Sequence, residues 1–194
     1  MSDLKTFIFI GRSGCGKGTQ AKMLMDTLAE DNRPIEYIEP GSKFREFITQ
    51  GNYTSLLAKK IAEDGGLQPG FLTVHIWSHI FIEKLTGNEH IVMDGMPRRK
   101  IEAEVLLGAL RFYSRPRVQV IYVNVSRGWA EERLLARGRA DDARDDVSRR
   151  LDWFDQDVLP TLEYLKTQND IELLDINGEQ SIENVHAEII SKIF

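Results

Sequence analysis

The sequence predicts an α/β fold in which a parallel five-stranded sheet carries helices on both faces. Short apolar runs rich in β-branched and aromatic residues recur at Thr6–Ile10, Ile91–Met93 and Val118–Val125, with weaker runs of the same type at Glu36–Ile38 and Ile171–Leu174. The runs are continuous rather than alternating, which suits strands buried on both faces. Helical stretches of about ten residues or more separate them, long enough for right-handed crossovers between parallel strands.

Taken in order, the first run is too short for a signal peptide or a membrane span. Residues 41–70, between Pro40-Gly41 and Pro69-Gly70, read as helical with no strand, and the charged stretch 137–146 also breaks the alternation; both read as insertions over the sheet. Val147, Leu151, Phe154, Val158, Leu162 and Leu165 form one apolar stripe, with Pro160 inside it expected to kink or break the helix. Ser181, just past a turn at Asn177-Gly178, is placed to cap a last helix whose stripe is Ile182, Val185, Ile189 and Ile193.

The chain of 194 residues fits one domain, residues 1–194. Its net charge of −5 argues against wholesale binding to nucleic acid or membrane. One cysteine, Cys15, rules out an internal disulfide framework and a Cys-rich zinc site. The expected compartment is the cytoplasm and the expected state a monomer.

Gly11-Arg-Ser-Gly14-Cys15-Gly16-Lys17-Gly18-Thr19 follows the first strand and opens a helix, the context a phosphate-binding P-loop requires. Glycines let the backbone turn tightly and aim N–H groups at phosphate oxygens. Lys17 adds a cation toward the β- and γ-phosphates, and the helix N-terminus adds its dipole. Gly18 stands where a Ser or Thr commonly touches Mg²⁺, so the metal is expected to rest on phosphates and water. Cys15 reads as a small residue tolerated in the loop, although Lys17 beside it would favour a thiolate. The third strand ends in Asp94-Gly95, followed by Met96-Pro97-Arg98; Asp94 is placed to order the water shell of a phosphate-bound Mg²⁺, with no direct protein ligand to the metal. Arg133 and Arg137 share a helix face, and Arg139 and Arg150 lie near the same charged stretch, as convergent cations for phosphoryl transfer would.

Over essentially its whole length the chain resembles a nucleoside monophosphate kinase of the adenylate kinase type, a P-loop NTPase fold. The carriers are Gly14-Cys-Gly-Lys-Gly-Thr-Gln20, Asp94-Gly-Met-Pro-Arg98 and Gly138-Arg-Ala-Asp-Asp142 with Arg150-Leu151. The resemblance implies reversible γ-phosphoryl transfer from MgATP to a nucleoside monophosphate, most simply AMP, without a covalent enzyme intermediate. It implies a mobile monophosphate lobe at about 40–70 and a short lid at about 134–144. Arg45 and Arg98 would hold the acceptor's phosphate, with Gly41, Gly66, Leu67, Gln68 and Gly95 around the acceptor. Arg133 and Arg137 would attend ATP, Arg139 and Arg150 would bridge the transferring group, and Gln180 would meet the adenine of ATP through backbone.

Two departures fall on the acceptor side. The family's Thr-Gly-Asp-Leu reads Pro40-Gly41-Ser42-Lys43 before Phe44-Arg45, and the glutamine that reads the AMP base is Glu102. An ionised carboxylate only accepts hydrogen bonds, which would suit a donor-rich base edge such as that of CMP, dCMP or GMP; a protonated or averted Glu102 would leave AMP as acceptor. A non-catalytic nucleotide-binding module is the remaining alternative, and the retained Lys17, Asp94, Arg98 and lid arginines oppose it. His75 and His79 have metal-pair spacing without a third ligand in sequence and are set aside, and Trp77 and Phe81 read as packing.

Overall fold

The computed structural model describes residues 4–138 and 144–194. Strands β1 (Thr6–Ile10), β2 (Ile35–Ile38), β3 (His90–Asp94), β4 (Val118–Asn124) and β5 (Ile171–Asn177) form one parallel sheet in the order β2-β3-β1-β4-β5. β1 and β3 are buried along their whole length. The edges β2 and β5 are partly exposed, which is why their apolar runs are weaker in the sequence. β5 runs on to Asn177, beyond the apolar run, because its second half alternates buried Leu174 and Ile176 with exposed Asp175 and Asn177.

Alternate residues of β1 feed two cores. Ile8 and Ile10 pack with Trp77, Phe81, Leu106 and Leu110 on one face, while Phe7 and Phe9 pack with Leu24, Leu134, Val185 and Ile189 on the other. The stripe from Val147 to Leu165 divides between them: Val147 and Leu151 join the second core, and Phe154, Val158, Leu162 and Leu165 the first. The interruption expected at Pro160 is present as a π-helical turn, Phe154–Val158, between α7 (Arg144–Trp153) and α8 (Leu159–Lys166). Pro160 falls in the first turn of α8, where its missing N–H is tolerated. In α9 (Ile182–Ile193), the Ser181 hydroxyl accepts the Asn184 N–H as expected, but Ile182 is 45% exposed, so the buried stripe starts only at Val185.

Residues 40–70 hold α2 (Pro40–Phe47) and α3 (Tyr53–Glu63) and lead into α4 (Gly70–Lys84), with no strand. Helices α1 (Lys17–Leu28), α5 (Lys100–Phe112) and α6 (Arg127–Arg137) complete the set used below. Arg139 and the middle of the expected lid, 139–143, lie outside the described residues. Among the described residues no helix is long and apolar enough to cross a membrane. Because β1 lies between β3 and β4, the chain leaves it toward one side for β2 and β3 and toward the other for β4 and β5. Ligand crevices in open parallel sheets form at such a switch point, beyond the carboxyl ends of the strands.

Candidate active site

A cleft of about 490 Å³ opens at that switch point. Its floor is the loop between β1 and α1, with Gly14, Gly16, Lys17, Gly18 and Thr19 among its lining. Gly14 has a φ of 87°, and a Cβ there would stand 2.9 Å from the Ala130 carbonyl oxygen, so no other residue fits. The N-terminus of α1 therefore meets the cleft directly, with the positive end of its dipole toward any phosphate there. The Cys15 thiol does not share the cleft: it is 3% exposed, packs into the second core, and burial raises its pKa against the opposing pull of Lys17. Cys15 is thus a packing residue with backbone alone on the phosphate side.

Asp94, at the end of β3, is buried. One carboxylate oxygen, Oδ2, accepts a hydrogen bond from the Tyr37 hydroxyl at 3.0 Å, while Oδ1 is buried with no hydrogen-bond partner among the described residues. Burial raises the Asp94 pKa, and the Lys17 charge and the Tyr37 hydrogen bond oppose it. A Cβ at position 18 would lie 3.1 Å from Oδ2, which accounts for Gly18 where a hydroxyl residue is common: the carboxylate occupies that space. Asp94 lines the cleft with its Oδ2 against Gly18 of the phosphate loop, and a hard carboxylate there fits the water shell of Mg²⁺.

Beyond Gly95, Arg98 folds back so that its Nε donates to the Gly95 carbonyl at 2.8 Å, and its guanidinium lies over the Trp153 ring, 5.1 Å from the centroid. Burial lowers its pKa, Glu102 opposes, and the nearby charge of Arg150 lowers it further, so two cations converge here. Glu102 is 1% exposed; its Oε2 accepts the Arg98 backbone N–H at 2.8 Å, and its Oε1 has no partner among the described residues. Burial raises its pKa, against the Arg98 N–H and charge. It sits behind Arg98 and beside the start of α4, where a Cβ on Gly70 would be 3.8 Å from Oε1.

Arg133, Arg137 and Arg150 line the cleft, with Arg133 stacked on the Trp129 ring at 4.1 Å, and so do Gly41, Arg45 and Gly95. Asp146 is bonded to Arg149 at 2.7 Å. Gly11, Gly66, Leu67, Gln68, Glu102 and Gln180 fall outside the cleft lining. Gln68 donates to the Ala58 carbonyl at 2.8 Å and accepts from Arg99 through its own carbonyl, tying α3 to the segment before α4. Gln180 turns its amide to the Asn177 carbonyl and to Glu188, leaving backbone for any ligand. His75 and His79 are exposed and stack on one another, whereas Trp77 and Phe81 are core residues in an edge-to-face pair.

A family model described as adenylate kinase matches residues 9–170. The chain belongs to the adenylate kinase family. It is 32% identical to an adenylate kinase of Oenococcus oeni over 183 residues, 92% of this chain and 93% of that protein. It is 30% identical to adenylate kinase 1 of a Nostoc species, over 94% of this chain and 95% of that protein, and to an adenylate kinase of Corynebacterium diphtheriae, over 96% and 97%. The chain is accordingly a nucleoside monophosphate kinase that uses ATP. The cleft also takes in Ser13 of the phosphate loop and three residues outside any of the motifs, Lys22, Tyr37 and Glu39. Tyr37 and Glu39 carried a signal, since they flank buried Ile38 at the strand spacing that puts both on one side.

Proposed function

We propose that the chain transfers the γ-phosphoryl group of MgATP reversibly to AMP, giving two ADP. The observation that carries this reading is convergence: Lys17, Arg45, Arg98, the α6 pair Arg133 and Arg137, and Arg150 face one cleft with Asp94. Phosphoryl transfer needs little covalent chemistry from the protein, and positioning plus charge stabilisation supply most of the rate. A phosphate oxygen of the acceptor attacks Pγ, that O–P bond forms, and the bond from Pγ to the bridging oxygen of ATP breaks, so no group is left on the enzyme. In this reading Lys17 and the loop amides hold the donor's phosphates, Arg45 and Arg98 the acceptor's phosphate, and Arg133, Arg137, Arg139 and Arg150 follow the charge that spreads over the transferring group. Asp94 would hold Mg²⁺ through water, and the ion when bound neutralises phosphate charge. Closure of the 40–70 lobe and the lid over the cleft would exclude water as a competing acceptor.

AMP is favoured by the names of the relatives, all adenylate kinases, and by Glu102. Its pKa is raised by burial, and a neutral carboxyl group donates and accepts as the amide it replaces would. The second reading rests on the same side chain: its unpartnered Oε1, if ionised, would prefer the amino group of cytosine or guanine. Initial rates with AMP, CMP, dCMP, UMP and GMP decide between them. The AMP reading requires AMP to lead the panel and its rate to fall as pH rises and Glu102 ionises, with Glu102→Gln removing that fall. A lead for CMP, dCMP or GMP that Glu102→Gln abolishes establishes the second reading.

A further inference from the structure

Glu39 stands at the N-cap of α2, a position where a side-chain oxygen usually accepts an amide of the first turn, yet it makes no such bond. Its Oε1 instead accepts from Arg45 Nη2 at 3.0 Å. The two residues are six apart, not the three or four at which helix neighbours meet, so the pair is not a by-product of helical spacing. Its location is more telling. A Cβ built on Gly41 would have Arg45 Nη1 at 3.6 Å, Glu39 Oε1 at 3.7 Å and Arg98 Nη2 at 4.0 Å around it. One carboxylate thus shares a single point of the cleft with the two guanidinium groups assigned to the acceptor's phosphate. Its field reaches the site from within: Glu39 acts to raise the pKa values of Asp94 and Arg98.

We infer that Glu39 is a built-in anion that occupies the acceptor-phosphate site in the absence of a monophosphate and must leave Arg45 before the substrate's phosphate can bind. The inference rests on the assignment of Arg45 and Arg98 to the acceptor. The carboxylate offers Arg45 the same charge-assisted contact that a phosphate oxygen does. A dianionic phosphate arriving beside it meets both a taken donor and a like charge. Because the pair is half-exposed on both sides, it is weak enough for substrate to displace. Glu39 is therefore a residue that sets acceptor affinity, not one that touches the reacting atoms.

The test compares wild type with Glu39→Gln in steady-state kinetics, with AMP binding measured by calorimetry. KM and Kd for AMP are expected to fall about three- to tenfold, a change larger than any in kcat, while KM for ATP stays where it was. In an Arg45→Met background the same substitution is expected to give a clearly smaller gain, since no guanidinium is left to release and only the like charge is relieved. An AMP affinity that is unchanged or weaker in Glu39→Gln overturns the inference, as does a gain of the same size without Arg45. Glu39→Asp, with a shorter reach to Arg45, is expected to show a smaller fall of the same sign, and a rise there also contradicts it. Absence of transfer to any monophosphate by the wild-type chain would be a different failure, that of the acceptor reading itself.

Discussion

Strand β3 has a buried carboxylate at each end, and the two are held in opposite ways. Glu89, just before the strand, is 3% exposed and accepts hydrogen bonds from the Thr86 N–H and hydroxyl, the Gly87 N–H and the Arg115 guanidinium at 2.8 Å. Burial alone would raise its pKa, but those hydrogen bonds outweigh it and hold Glu89 below the usual carboxylate range. Asp94, at the other end, has one hydrogen bond, one bare oxygen and a pKa that burial succeeds in raising. A buried charge whose partners are complete fixes the fold; one left half-satisfied by its own chain is poised for a ligand to complete it. The carboxyl end of the sheet carries the second kind, at Asp94 and Glu102, and that is the end with the cleft.

The largest effect that would sharpen this contrast is on Asp94. Asp94→Asn retains an oxygen for Tyr37 but removes the charge, and kcat is expected to fall about 10²- to 10³-fold. Its melting temperature should hold or rise, because the ionised, raised-pKa Asp94 carries a folding penalty that sets in as pH climbs above its ordinary value of 3.8. A variant that loses activity only in proportion to lost stability would break the comparison.

Arg115→Met is the converse. It leaves Glu89 buried without its cation, a loss of about 3–5 kcal/mol, equivalent to roughly 10 °C in melting temperature for a chain of this size. Thermal melts paired with kcat/KM below the transition check it: stability should drop and the activity of the folded fraction should not. The smallest effect belongs to Glu102. Its pKa is raised, so its contribution to stability is complete below 4.5 and is lost as pH rises through the folded value. Glu102→Gln should therefore gain melting temperature relative to wild type as pH increases from 4.5, and a difference that is flat with pH contradicts the buried, ionisable Glu102.

Much of this was legible in the sequence because it is local. The central strands announce themselves by continuous apolar runs, and the phosphate loop, Asp94 and Arg98 by their short spacing. The edge strands are blurred because one flank of each meets solvent, and β5 changes from a run to an alternation half-way along. What the sequence hid is long-range. The Tyr37 bond to Asp94 joins residues 57 apart, and no local pattern predicts it. Cys15 faces the core rather than the phosphates because a tight turn, not a helical or strand period, sets its direction. Glu39 stands just before the segment that lacks the threonine and aspartate, and its bond to Arg45, six residues on, follows no helical or strand period.

The central claim is that the cleft moves a phosphoryl group between two nucleotides and keeps water out of the reaction. Product stoichiometry tests it most directly: purified chain with MgATP and AMP, sampled early, with ADP and inorganic phosphate both quantified. The account predicts two ADP for each ATP consumed, no appreciable inorganic phosphate, and no ATP consumption when AMP is left out. Inorganic phosphate released at the rate of ATP loss, with or without AMP, would contradict it.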